Sequence, residues 1–245
     1  MFLLGFLILI HESGHLLVAK LCKVKVNEFA IGFGPVIWKY QGKETKYALR
    51  AIPLGGFCNM EGEEERSEVS GSFSKASIPR RIAIVAAGAT VNIIFGIIVY
   101  FILMSSIGMY VGTEDTFVNH IKFAGRETGQ LFVSLFDSLK QLFTGKIGMD
   151  QMMGPVGISE VVAKTTGVQE FIYLLSVVSL SLGVTNLLPI PALDGGKILL
   201  LIVEAIRRKP LSEKIEINIQ LLGFSLLIAL SMYITISDIS RLIGI

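Results

Sequence analysis

The sequence predicts a mainly α, polytopic membrane protein: four transmembrane spans, a short membrane-associated β-hairpin or sheet after the first span, and an external amphipathic helix. Three observations carry that expectation. The 245 residues are 52% hydrophobic and only 17% charged, with a mean hydropathy of +0.65, too apolar for an ordinary soluble domain. Four apolar stretches, about residues 1–20, 82–110, 171–206 and 221–236, approach or exceed the roughly 20 helical residues that cross hydrocarbon. Between the first two, residues 24–58 turn to glycine, aromatic and β-branched residues, a strand composition. The whole reads as one membrane-embedded domain over residues 1–245, and the net charge of +2 gives no footing for nucleic acid.

The first span contains His11-Glu12-Ser13-Gly14-His15, and residues 2–19 carry no other charge. Residues four apart share a helix face, so the two imidazoles can serve one metal ion. Glu12 beside them is placed to take a proton from water activated by that metal. Ionisable groups inside a span are costly and mark function by default; the plainer reading is polar glue between helices. The span lacks a basic leader and a small-residue cleavage site, so it reads as a retained helix rather than a signal peptide. It ends at Lys20, Lys23 and Lys25, which face the cytosol by the positive-inside rule. His15 lies five residues before Lys20, about 8 Å of helix rise, so the motif sits shallow on that side.

Residues 24–58 predict two or more short strands dipping into the membrane surface, with a turn at Gly42-Lys43. An exposed edge there could pair with an unwound substrate; the alternative is a plain cytosolic meander. Residues 61–81 form a polar, acidic loop that Phe73 could tether. Cys22 and Cys58 fall on the cytosolic side and read as inert thiols, not a disulfide. In the second span, the small residues 86–90 permit close helix approach, and Asn92 suits an interhelical hydrogen bond, with a direct active-site role as the alternative. The outer segment, residues 112–170, carries five Lys/Arg against seven Asp/Glu, whereas residues 20–81 carry eleven Lys/Arg, an asymmetry that supports the orientation. Within it, residues 120–146 predict an interfacial amphipathic helix, and Gly154-Pro155-Val156-Gly157 breaks the chain. A single helix over residues 171–206 would run about 54 Å against a ~30 Å core, so it is expected to break at 189–196, among Pro189, Pro191, Gly195 and Gly196. Coming from outside, Asp194 then reaches the depth of His15 and becomes the expected third ligand.

The two motifs together resemble the site-2 protease family of intramembrane metalloproteases, in its regulator-of-sigma-E branch. Gly32 to Gly34, Pro53 to Phe57, Gly154 to Ile158 and Pro210 to Lys214 extend the resemblance over nearly the whole chain. It implies zinc (Zn2+) held by His11, His15 and Asp194, Glu12 as general base, and Asn186 and Pro189 near the substrate. Gly88 and Asn92 match the second-helix motif, with Ala89 where a proline is usual. Relatives usually carry PDZ domains between the second and third spans; here only about residues 108–119 join span two to the amphipathic helix, too short for one.

The function expected is cleavage of transmembrane segments of membrane proteins, such as anti-sigma factors or signal-peptide remnants. The expected partners are a transmembrane protein or peptide substrate and the lipid bilayer of a plasma or inner membrane, with the site towards the cytosol and the oligomeric state open. The rivals are a metal-ion transporter using the same ligands, a non-catalytic zinc-binding scaffold, and a membrane enzyme cutting soluble peptides with Glu204 as third ligand. Transport leaves Glu12 unexplained.

Overall fold

The computed structural model describes residues 2–106, 116–146 and 152–243. Its elements run α1 (Phe2–Leu21), β1 (Val26–Gln41), β2 (Lys46–Met60), α2 (Ile78–Ser106), α3 (Phe117–Phe143), α4 (Pro155–Lys164), α5 (Val168–Asn186), α6 (Asp194–Arg207) and α7 (Glu213–Ile243). The protein is mainly helical. Among the described residues four helices are long and apolar enough to cross a membrane: α1 from Leu3, α2, α5 and α7. The chain forms two compact units, Met1–Asn92 with Leu182–Leu226 and Ile93–Ser181 with Leu227–Ile245.

In the first unit, α1 is an uninterrupted apolar helix whose one hydroxyl, Ser13 Oγ, is satisfied by the Leu9 carbonyl at 2.7 Å. It stops in a left-handed turn at Lys23, φ 60°. The Val24 amide returns to the Ala19 carbonyl at 2.8 Å and the Lys23 amide to Lys20 at 3.0 Å. This is a Schellman stop built without glycine. It aims the chain into the sheet. There Glu28–Ile31 of β1 stand opposite Gly56–Asn59 on one side and Lys46–Leu49 on the other, while Val36–Gln41 pair with Lys46–Arg50. The two long strands are thus bent into more rungs than a plain hairpin has. Gly32, Gly34 and Gly55, at φ 84°, 81° and 101°, occupy the left-handed region at the bends, where glycine is strain-free.

Val26, Phe29, Cys58 and Met60 of the sheet pack with Ala19 of α1, Ile84 and Val85 of α2 and Leu201 of α6. Phe73, from the acidic loop, is buried in the same cluster and anchors it. Glu28 sits on the sheet between Arg50, at 2.6 Å, and Lys46, at 3.0 Å. Burial pushes its carboxyl up, but the hydrogen bonds from Arg50 and Lys46 win and hold it below the usual carboxylate range. In the second half of β1 the sheet presents apolar residues outward: Phe33, Ile37, Trp38 and Tyr40 are exposed.

The apolar stretch 171–206 is two helices. Helix α5 ends at Asn186 and α6 begins at Asp194. The break therefore spans 187–193, not 189–196, and only α5 is a candidate span. Gly195 and Gly196 belong to the first turn of α6. A Cβ on Gly195 would stand 2.2 Å from the Leu188 carbonyl oxygen, and one on Gly196 2.2 Å from that of Ile190. The turn folds back on the helix so tightly that both positions require glycine. Helix α7 is longer than the expected 221–236 and starts in the polar sequence at Glu213, where acidic residues favour a helix N-terminus.

In the second unit, Tyr100, Leu103 and Met104 pack on Ala124 of α3. A Cβ on Gly96 would lie 2.6 Å from Leu180 Cγ, so α2 and α5 approach closely there. Ile94, Ile98 and Ile102 are exposed at helical spacing, as suits a face bathed in hydrocarbon. Gly154-Pro155-Val156-Gly157 does not merely break the chain. Gly154 caps α4 and Pro155 opens it, where a missing amide costs nothing. Most of the expected 108–119 linker, residues 108–115, lies outside the described residues; Thr116 caps α3 by accepting from the Asn119 amide.

Candidate active site

Helix α1 presents His11 and His15 with their Nε2 atoms 3.2 Å apart. Both residues are buried. Asp194, at the start of α6, brings Oδ2 to 3.1 Å from His11 Nε2 and 3.5 Å from His15 Nε2. The three ligand atoms lie within 4.8 Å of one another. That buried Asp194 oxygen has no hydrogen-bond partner. An acceptor-only atom facing two ring nitrogens calls for a cation between them. Two ligands each ~2.1 Å from a zinc ion at a tetrahedral angle stand ~3.4 Å apart, so the spacing fits zinc, as does the nitrogen and oxygen donor set.

The imidazoles are held from behind by α2. His15 Nδ1 lies 2.9 Å from the Ile84 carbonyl. A carbonyl only accepts, so Nδ1 carries the proton and Nε2 keeps its lone pair for the site. His11 Nδ1 lies 3.5 Å from the fully buried Asn92 amide. The Asn92 atom facing the ring is Nδ2; turned over by half a turn, the amide puts its oxygen there to accept from His11 Nδ1–H, which leaves the Nε2 lone pair for the site. Asn92, expected as interhelical glue, is therefore the neighbour of a site imidazole. Gly88 is the second residue whose place was not apparent from the sequence: a Cβ there would meet His15 Nε2 at 2.4 Å and His11 Nε2 at 2.7 Å. Gly14 makes the same crossing possible from α1, since its Cβ would lie 2.6 Å from the Ala87 carbonyl oxygen.

Glu12 points into the same cavity, of about 680 Å³, walled also by Cys58, Asn59, Asn186, Asp194 and Lys197. Strand β2 passes beside it. A Cβ on Gly56 would be 3.5 Å from Glu12 Cγ. Cys58 itself is a free thiol that burial, and then the carboxylates of Glu12 and Glu63, push up to about 12. It is a wall, not a nucleophile. Of the sequence-derived candidates, His11, Glu12, His15, Asn186 and Asp194 meet around this cavity; Pro189 is exposed in the 187–193 turn and is not part of its wall. Glu204 is spent elsewhere, on Arg81 at 2.5 Å. The strand residues beside the cavity are Phe33 of β1 and Phe57–Met60 of β2.

The sequence profile of Peptidase family M50 matches residues 1–230 of the chain. A Clostridium acetobutylicum protein named "Putative zinc metalloprotease" is 30% identical, covering 96% of this chain and 94% of its own. Another of the same name, from Clostridium perfringens, is 30% identical over 95% of both. "Zinc metalloprotease RasP" of Shouchella clausii is 41% identical over 131 residues, 53% of this chain and 31% of its own. With the profile spanning nearly its full length and a His-His-Asp cluster at its centre, the chain belongs to Peptidase family M50, the site-2 protease family of zinc metalloproteases.

Proposed function

We propose that this enzyme is an intramembrane protease that cuts transmembrane segments of membrane proteins, with His11, His15 and Asp194 holding zinc and Glu12 as general base. The observation that carries the reading is the convergence of Asp194 Oδ2 on both imidazoles, at 3.1 and 3.5 Å, in the cavity that also holds Glu12. Bound there, zinc would supply a Lewis acid that lowers the pKa of water towards ~7 and polarises a carbonyl. Glu12 takes the proton of the attacking water and returns it to the leaving amine. The β2 backbone at Gly56 packs beside Glu12 and helps confine its side chain to the cavity.

A substrate helix hides its carbonyls in its own hydrogen bonds and must unwind to be cut. The Gly56–Asn59 segment pairs with β1 on one side and lines the cavity from Phe57 to Met60. Its other side offers an extended substrate an edge beside Glu12. Asn186 in the cavity wall holds the substrate carbonyl in place. Pro189 acts indirectly, keeping the turn open rather than touching the scissile bond. The lysines that end α1 support a site facing the cytosol, in a plasma or inner membrane.

The test uses purified enzyme in detergent and a single-span substrate. Glu12→Gln is expected to retain zinc by elemental analysis and to lose cleavage by at least a hundredfold. A Glu12→Gln variant that still cuts overturns the assignment. Zinc uptake into proteoliposomes that survives this substitution, with no cleavage by either form, favours a transporter.

A further inference from the structure

A second cavity, of about 600 Å³, adjoins the catalytic one within the first unit. The two share Glu63, Glu64, Ala192 and Lys197 in their walls. The partition is thin. Lys197, one helical turn after Asp194, reaches from α6 to Glu63 of the loop after β2, Nζ to Oε1 2.6 Å. Beside this pair stands Ala192, a non-glycine residue at φ 73°, its amide fixed by Gln220 Oε1 of α7 at 2.8 Å. A small residue held in the left-handed region is a strained element of the kind found at functional sites.

Beyond the partition the chemistry changes. Phe73, Leu201, Ile217, Leu221 and Phe224 give the second cavity an apolar floor. Its cations are each matched by a carboxylate: Arg81 by Glu204 at 2.5 Å, Lys197 by Glu63 at 2.6 Å and Arg66 by Glu216 at 3.5 Å. Glu64, Glu65 and Glu213 line the same cavity and have no cationic side chain in an ion pair among the described residues. The lining thus pairs an apolar floor with a surplus of three negative charges.

A protease holds its substrate on both sides of the scissile bond. The β2 edge serves one side, and the cavity across the Lys197–Glu63 partition is where the chain would continue. A transmembrane segment entering the cytosol passes from apolar residues to Lys and Arg, the order in which this cavity offers floor and rim. We propose that the second cavity is the subsite for the substrate's cytosolic flank, with an apolar residue on the Phe73–Leu201 floor and a following Lys or Arg against Glu65 and Glu213. This rests on the protease reading above, with the site facing the cytosol.

The experiment compares single-span substrates that differ only after the span, with three Lys/Arg, three Ser or three Asp. Wild-type enzyme is expected to cleave the basic form with kcat/KM about tenfold above the Ser form, from a few partly exposed ion pairs. Glu65→Lys/Glu213→Lys is expected to invert the order, favouring the Asp form. An order that does not change with the reversal, or no flank preference in the wild type, overturns the proposal. The same comparison by binding, with fluorescently labelled substrates and the Glu12→Gln variant, needs no turnover. Tighter binding of the basic form that the reversal inverts supports the subsite even if no substrate is cut, whereas equal binding of all three forms sinks the subsite and leaves the protease reading standing.

Discussion

Gly88 of α2 faces His15 of α1 so closely that a single methyl group would lie 2.4 Å from the ring Nε2. The same methyl would lie 2.7 Å from His11 Nε2. Glycine here is a matter of space for the site and not of backbone freedom, because its φ is that of an ordinary helix. Gly88→Ala places carbon where the two nitrogens converge, and α2 is too tightly packed at Ile84 and Val85, both nearly inaccessible, to step back. Zinc per chain is expected to fall at least tenfold and cleavage to vanish. Thr90→Ala, at an exposed position two residues away, is expected to retain both. Elemental analysis of the purified proteins checks this, and a zinc-replete Gly88→Ala would show that the helices can part.

Asn92 and Ile84 brace the two imidazoles from the rear. The Ile84 contact is backbone and survives any substitution; the Asn92 contact does not. Asn92→Leu leaves His11 Nδ1–H facing hydrocarbon, and loss of such a partner typically weakens metal binding 10–100-fold. Asn92→Asp keeps an acceptor and should recover most of the affinity. Competition with a chelator of known affinity measures the difference, and equal affinities in wild type and Asn92→Leu would make Asn92 a packing residue only.

Asp194 is fixed by the 187–193 turn and by two glycines that let that turn press against α6. Asp194→Ala removes one of three ligand atoms and should strip zinc to a few per cent of wild type during purification. Asp194→Glu retains the carboxylate but moves it one methylene further, beyond the spacing of 3.1 to 3.5 Å seen here; reduced occupancy and a loss of kcat of at least tenfold are expected. Gly195→Ala should resemble Asp194→Ala, since its methyl collides with the Leu187 and Leu188 carbonyls. Zinc content against circular dichroism separates loss of the ligand from loss of the fold.

These expectations show which parts of the site could be read from the chain. The pairing of His11 with His15 follows from helix periodicity, and Asp194 could be brought to their depth by counting helix rise and noting the prolines. Both arguments are one-dimensional. The roles of Gly88 and Asn92 depend on which face of α2 meets α1, and two uniformly apolar spans carry no strong polar face to say so. The sheet was visible as a composition, but its pairing was not. Its register is set by bends at Gly32, Gly34 and Gly55, and periodicity fails where a strand bends. The start of α6 is not legible because Gly195 and Gly196 read as a helix break; packing against the turn selects glycine there, not flexibility. Helix α4 is hidden in the sequence because Gly154-Pro155 reads equally as a stop or a start, and what decides is a residue 84 positions later.

That residue is Asp238, 1% exposed near the end of α7. Its Oδ2 accepts from the Gly154 amide at 3.0 Å and the Gly157 amide at 2.7 Å, and its Oδ1 pairs with Arg241. It caps α4 from another helix, doing for Gly154 what a side-chain cap would do locally. Space confirms the match: a Cβ on Gly157 would stand 2.8 Å from Oδ1. Asp238→Leu strands two amides, each costing about 1–3 kcal/mol when left unsatisfied, whereas the Arg241 side chain, 41% exposed, can turn to water. Asp238→Asn keeps an acceptor for the amides and should cost about half as much. Thermal unfolding in detergent is expected to rank wild type above Asp238→Asn and Asp238→Leu last, with protease sensitivity appearing first at α4. The ranking fails if Asp238→Leu unfolds with the wild type, and α4 would then be held by Ile234 and its neighbours alone.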